Sequence, residues 1–206
     1  MGLIGENGAG KTTTIKLMLD MIRKDGGTVR ILGKDSAEIS KEDIGVVLDE
    51  VGLPTCLTAC QVDKIMSKAY TQWSSDEFFA YLKRLNVPEN KAFSALSRGM
   101  KMKLALAVAL SHKAKLLLLD EATGGLDPLA RDELISELSR FIADGEHAIL
   151  LSSHIVSDIE KLCDRVAFLH KGRLVLHEKK DALLASHPGQ SLEEIILDIT
   201  RKGRAS

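Results

Sequence analysis

The segment Gly5-Glu6-Asn7-Gly8-Ala9-Gly10-Lys11-Thr12 constrains this chain more than any other. It fits the pattern G-x-x-x-x-G-K-[ST] at every fixed position. Glycines accept backbone angles that other residues resist, so N–H groups here can turn inward around an anion. The pattern works only where a strand meets a helix. Ile15, Met18, Leu19 and Ile22 supply one apolar face for that helix. Its N-terminus turns unpaired N–H groups and the positive end of its dipole toward the same anion. Lys11 is placed to reach the β- and γ-phosphates of a nucleotide, and the Thr12 hydroxyl to hold Mg²⁺. Asn7, Gly8, Ala9, Gly10 and Thr13 complete the expected cradle. Met1-Gly2-Leu3-Ile4 leaves almost no room for the feeding strand, so more chain is expected upstream.

Strand and helix signals alternate on both sides of a helical stretch. Thr28 to Leu32 and Ile44 to Leu48 read as strands. From Pro54 helical periods dominate, over Gln61 to Tyr70, Asp76 to Leu85 and Met100 to Leu110. Leu116-Leu117-Leu118-Leu119 is an unbroken apolar run, as in a strand buried on both faces of a parallel sheet. A helix follows from Pro128, capped by Asp127, with Leu134, Ile135, Leu138, Phe141 and Ile142 facing inward. Then come a strand over Ala148 to Leu151, a short helix over Val156 to Leu162, and a hairpin turning at Lys171-Gly172. Leu192 to Ile199 reads as an amphipathic helix. This order predicts an α/β phosphate-loop NTPase fold with a mostly parallel sheet. The predicted core covers 1–51 and 114–206, with a helical subdomain inserted over 52–113.

Composition excludes several functions. The net charge of −1 gives no basic field for nucleic acid. No apolar run is long enough to cross a bilayer, so any membrane path must belong to another chain. Cys56, Cys60 and Cys163 do not make a metal-ligand set, and reduced thiols are expected.

Three further segments carry chemistry. Asp120 ends the leucine strand and, beside the phosphate loop, would hold Mg²⁺ through water. Glu121 follows it, placed to orient and deprotonate an attacking water. His154 ends the next strand, at the sheet edge where ligands bind in open α/β folds. Ser97, in Leu96-Ser97-Arg98-Gly99-Met100, is a candidate cap for a helix whose start offers N–H groups to an anion.

The ordered set resembles the ATP-binding cassette (ABC) ATPase family over nearly the whole chain. Leu96 to Met100 resembles the signature loop LSGGQ, Gly124-Gly125-Leu126-Asp127 the D-loop, and His154 the switch histidine. The resemblance implies a RecA-like core, ATP and Mg²⁺ as ligands, and two nucleotide-binding domains meeting head to tail. ATP would lie between one phosphate loop and the facing copy's Ser97 and Gly99, with Asp127 nearby. It implies catalytic roles for Glu121, His154 and Lys11. It also implies a separate transmembrane permease, and a cytoplasmic place on the inner face of the membrane through that permease alone. An exporter is the expected type.

The chain departs from the family at named positions. Arg98 stands for the first signature glycine and Met100 for the glutamine. Asp49 stands where the family has a glutamine, a position for metal or water contact; a carboxylate there would hold Mg²⁺ through water. The family's adenine-stacking aromatic lies upstream of the phosphate loop and is not in this sequence. Its lack implies ATP binding weakened by roughly tenfold to a hundredfold. Two other readings compete: a soluble ABC ATPase acting on DNA or ribosomes, and a nucleotide-binding module without hydrolysis. The charge balance opposes the first, and Glu121 the second.

Overall fold

Side chains of consecutive residues alternate between two apolar layers on either face of one central sheet. The computed structural model describes residues 1–204. Among these, β1 is Gly2–Ile4, β2 Arg30–Ile31, β3 Lys34–Asp35 and β4 Ile44–Val47. Strand β5 is Leu116–Asp120, β6 Ala148–Ser153, β7 Arg165–His170 and β8 Arg173–Lys179. Six strands share one sheet in the order β4-β5-β6-β1-β7-β8. Pairing is parallel from β4 through β7, and β8 closes antiparallel against β7. On one face Ile4, Val47, Leu117, Leu119, Leu151, Val166 and Phe168 pack together. On the other, Leu3, Ile44, Leu116, Leu118, Leu150, Ala167 and Leu169 do so. This is why the leucine run carries no polar alternation: both sides of β5 are interior. Truncating Leu118 to alanine would cost about 2–5 kcal/mol.

The sequence left almost no room for a strand before the phosphate loop, yet β1 is there and is central. Its Gly2, Leu3 and Ile4 pair on one side with Leu151, Ser152 and Ser153, and on the other with Val166, Ala167 and Phe168. The Met1 amine donates to the Ile149 carbonyl at 2.7 Å.

Helix α1 is Lys11–Met18, and its Ile15 is fully buried under the sheet. The apolar face read as far as Ile22 does not persist. Leu19 caps the helix, Asp20 turns left-handed at φ 55°, and Met21 and Ile22 are exposed. The strand expected over Thr28 to Leu32 shrinks to Arg30–Ile31, paired with Lys34–Asp35 in a separate two-stranded ribbon. Leu32 breaks it by turning left-handed at φ 50°.

Residues 52–113 hold α2 (Ala59–Ala69), α3 (Ser75–Arg84) and α4 (Arg98–Leu110). Thr58 and Gln61 form a reciprocal capping box at the start of α2, and Ser74 caps α3. Val62, Phe78, Leu82, Leu85, Phe93 and Leu104 give this part its own apolar centre. Helix α4 belongs to both parts. Its Leu104 and Ala107 face that centre, while Met102, Ala105, Leu106 and Ala109 join the sheet layer. Gly45 of β4 makes the close approach possible: a Cβ there would lie 2.7 Å from the Ala109 carbonyl oxygen.

Helix α5 (Pro128–Phe141) and α6 (Val156–Leu162) cover the same sheet face as α4. Leu134 and Leu138 of α5, with Ile159 and Leu162 of α6, supply their buried stripes. The expected hairpin turns at Lys171 and Gly172, with φ 46° and 74°. Helix α7 (Lys180–Ser186) was not foreseen in the sequence. The last helix, α8 (Leu192–Arg204), lays Leu192, Ile195 and Ile196 on the same layer.

Candidate functional site

The loop between β1 and α1 is shaped by backbone and by one neighbouring hairpin. Gly8 and Gly10 have φ 80° and 107°. Gly10 precedes the helix with no side-chain cap, so the first-turn N–H groups are left to other acceptors. The Gly172 N–H donates to the Ala9 carbonyl at 2.9 Å, and a Cβ on Gly5 would lie 2.6 Å from the Leu169 carbonyl oxygen. The β7–β8 turn thus braces the loop from outside. Nothing in the sequence pattern alone points to that contact.

Lys11 is nearly buried, at 5% exposed. Its Nζ donates to the carbonyls of Gly5 at 2.7 Å and Glu6 at 3.3 Å. It also lies 3.1 Å from Glu121 Oε1. That last contact is an ion contact without hydrogen-bond geometry, because Oε1 itself has no hydrogen-bond partner. Glu121 Oε2 lies 2.7 Å from His154 Nδ1. Lys11, Glu121 and His154 therefore form one line from the loop floor to the surface, where His154 is 55% exposed.

Glu121 holds an unusual backbone for a residue with a side chain, at φ 50°. Its N–H donates to the Ser152 carbonyl at 2.9 Å, and its carbonyl accepts from the Gly124 N–H at 3.0 Å. Such a left-handed residue is maintained by its surroundings and marks sites where placement matters. Asp120, one residue earlier, is buried and accepts from the Ser152 hydroxyl at 2.8 Å. Ser152 is directly across from Asp120 in the β5–β6 register, a signal visible only once the strands are paired.

Thr12 and Asp120 offer a hydroxyl and a carboxylate, the oxygen donors that suit a magnesium nucleotide. Glu121 Oε1 and Thr123 Oγ1 are buried oxygens without a hydrogen-bond partner in this turn. Among the described residues no group of three His, Cys, Asp or Glu side chains gathers as a metal site. A divalent ion with one carboxylate, one hydroxyl, water and phosphate oxygens needs no such group.

Ser97 caps α4 as expected, its Oγ accepting from the Met100 N–H at 3.2 Å. Gly99 is buried against α5: a Cβ would lie 3.1 Å from Ala130 Cβ. Asp127 caps α5, accepting from the Ala130 N–H at 3.0 Å. Ser97, Gly99 and Asp127 thus meet where α4 and α5 begin. Asp49 makes its charge contact with Arg98, Oδ1 to Nη2 at 2.6 Å. The Arg98 Nε also donates to the Gly124 carbonyl at 3.2 Å.

A glycine loop on a helix N-terminus, backed by a buried Asp120 and a Glu121–His154 pair at one sheet edge, defines a phosphate-loop nucleotide-binding protein. More narrowly, the chain belongs to the ABC transporter family, whose family model matches residues 1–124. It is 36% identical over 179 residues to the bacitracin transport ATP-binding protein BcrA of Enterococcus faecalis, covering 84% of this chain and 58% of that protein. It is 35% identical over 202 residues to the Nod factor export ATP-binding protein I of Burkholderia orbicola (strain AU 1054), covering 94% of this chain and 66% of that one. The chain thus spans less than two thirds of each of these relatives. A solved structure described as the ATP-binding subunit of an ABC transporter superposes with a TM-score of 0.85 at 28% identity, covering 97% of this chain and 87% of that chain.

Proposed function

We propose that this chain is the ATP-hydrolysing subunit of an ABC exporter, at work on the cytoplasmic side of the membrane. The line Lys11–Glu121–His154 beside the phosphate loop carries the proposal. Lys11, the loop N–H groups of Asn7 to Gly10 and the first turn of α1 at Thr12 and Thr13 neutralise the β- and γ-phosphates. Thr12 and Asp120 hold Mg²⁺, which when bound offsets charge on the phosphate oxygens. Glu121 accepts a proton from a water whose oxygen bonds the γ-phosphorus as the bond to the ADP oxygen breaks. His154 fixes the Glu121 carboxylate through Nδ1 and keeps Nε2 for the γ-phosphate.

Ser97 and Gly99 of a second copy or a related cassette close over the nucleotide, with Asp127 at the same seam. ATP then bridges two subunits, and hydrolysis removes the bridge. The permease docks in an apolar cleft between the end of β4 and α4, lined by Val47, Leu48, Val51, Leu53, Ala105 and Val108. Among the described residues no helix is long and apolar enough to cross a membrane, in keeping with a separate permease. Export is favoured by the Nod factor export relative.

Turnover and nucleotide titration of the full chain with Mg-ATP test this reading. Glu121→Gln should lower turnover at least about a hundredfold with ATP binding retained. Lys11→Ala should abolish ATP binding. Equal turnover of wild type and Glu121→Gln would reject the base, and unchanged affinity in Lys11→Ala would reject the cradle.

A further inference from the structure

We infer that Arg98 is a positioning residue for the hydrolytic turn, acting within its own chain through Gly124 and anchored by Asp49. The inference rests on Glu121 as the base proposed above. Arg98 is the first residue of α4, yet its guanidinium reaches two other segments. Its Nε donates to the Gly124 carbonyl at 3.2 Å and its Nη2 pairs with Asp49 Oδ1 at 2.6 Å. Asp49 follows β4, and Gly124 lies in the turn that follows β5. One side chain therefore joins the end of a sheet strand, the start of the signature helix and the turn carrying Glu121.

The Gly124 backbone transmits the effect. Its N–H closes the turn on the Glu121 carbonyl at 3.0 Å, and its own carbonyl accepts from Arg98. The turn holds two left-handed residues, Glu121 at φ 50° and Gly125 at φ 67°. A Cβ on Gly125 would lie 3.4 Å from Arg98 Nε, so the guanidinium covers the turn as well as bonding it. Side chains of Arg98 and Asp49 are 54% and 51% exposed. Ion pairs at that exposure add little to folding. What the pair supplies is direction for a group that must lie within about an ångström of its working place.

The two departures from the signature and glutamine-loop patterns thus meet in one contact. A glycine at 98 would carry neither bond. Lysine would keep the charge but, with a single ammonium, cannot reproduce the fork that serves Gly124 through Nε and Asp49 through Nη2. The competing role for Arg98 is a phosphate ligand in the facing copy, and the two roles separate in ATP-driven association: with Glu121→Gln in place, a facing-copy ligand is needed for association and a within-chain positioning residue is not.

The test measures kcat and the Kd for a fluorescent ATP analogue in the full chain, for wild type, Arg98→Ala, Arg98→Lys, Asp49→Asn and Arg98→Ala/Asp49→Asn, with Glu121→Gln as reference. Arg98→Ala should lower kcat about tenfold with Kd changed less than about twofold. Arg98→Lys should recover little, Asp49→Asn should lose less than Arg98→Ala, and the double variant should be no worse than Arg98→Ala. Normal kcat in Arg98→Ala, full recovery by lysine, or additive losses in the double variant would overturn the inference. ATP-driven association weakened about tenfold by Arg98→Ala in the Glu121→Gln background would overturn it too, assigning Arg98 to the nucleotide of the facing copy. Should Arg98→Ala not fold, the lysine and Asp49→Asn variants decide alone. Undiminished turnover in Glu121→Gln brings down the base and this inference together; any other adverse result brings down the inference only.

Discussion

The two helix starts proposed above to meet the nucleotide are held in opposite ways. The start of α1 is fixed by backbone. It leaves a central strand, turns on two left-handed glycines and is braced by the Gly172 N–H on Ala9. The start of α4 is fixed by side chains: the Ser97 cap, the Arg98 contacts and Gly99 against α5. Backbone construction gives a site that tolerates few substitutions at its glycines but many around them. Side-chain construction gives a site whose placement can shift one contact at a time. On the function proposed above, the first suits a pocket that grips on its own, and the second a surface that closes and reopens against a second cassette.

Glycine substitutions in the phosphate loop test the backbone half, with the largest expected effects. Gly5→Ala forces its Cβ against the Leu169 carbonyl at 2.6 Å, a backbone atom that cannot rotate away. It should cost about 1–3 kcal/mol in urea unfolding and weaken ATP binding in parallel. Gly8→Ala meets nothing within 4 Å and bears only the strain of φ 80°, toward the lower end of about 1–2 kcal/mol. Equal losses for the two would break the comparison, because the hairpin brace would then not set the loop.

Ser97→Ala tests the side-chain half and should do less to the fold. Removing the cap costs about 1 kcal/mol, read as a lower unfolding midpoint. ATP affinity of the separate chain should stay unchanged, since Ser97 caps α4 and the phosphate loop leads into α1. ATP-driven association in a Glu121→Gln background should weaken. If isolated-chain affinity falls as well, the two helix starts are not independent.

Legibility in the sequence followed the same division. The phosphate loop could be read residue by residue because its function needs glycines at fixed spacing, and backbone demands leave a pattern. The leucine strand, the Asp127 cap with Pro128 and the Ser97 cap were legible for the same reason: each is a local rule. The β1 strand was misjudged because three residues paired on both sides are stable only through long-range neighbours. The extension of α1 to Ile22 failed because periodicity does not see Asp20 turning left-handed. Ser152 on Asp120, Gly172 on Ala9 and Arg98 on Gly124 were not legible at all. Each joins segments far apart in the chain, and a hydroxyl, an N–H or a guanidinium looks the same in sequence wherever it lands.

The smallest expected effect lies at the seam that seats the helical part on the core, and it sharpens the contrast. His112, just beyond α4, is buried, stacks on Tyr70 at 4.2 Å and meets the Glu42 carbonyl through Nδ1 at 3.0 Å. A carbonyl only accepts, so Nδ1 carries the proton and donates. The Glu42 carboxylate accepts from the Thr71 N–H at 2.9 Å and from its hydroxyl, binding the α2–α3 linker to the start of β4. Burial lowers the His112 pKa below the ordinary histidine value of 6.5, so the folded chain favours neutral imidazole. The unfolded chain then binds more protons as pH falls through 6.5 toward the lower folded value, and stability declines over that window. The slope from this histidine fades as pH rises well above 6.5. Thermal unfolding from pH 7.5 to 5.5 should show a midpoint that drops on the acid side in wild type and drops less in His112→Gln. Hydrogen exchange at pH 5.5 should loosen first around Tyr70 and Thr71 while amides of Gly8 to Thr14 keep their protection. Exchange rising equally in the phosphate loop would mean that the two helix starts share one cooperative unit, and that their different construction has no counterpart in stability.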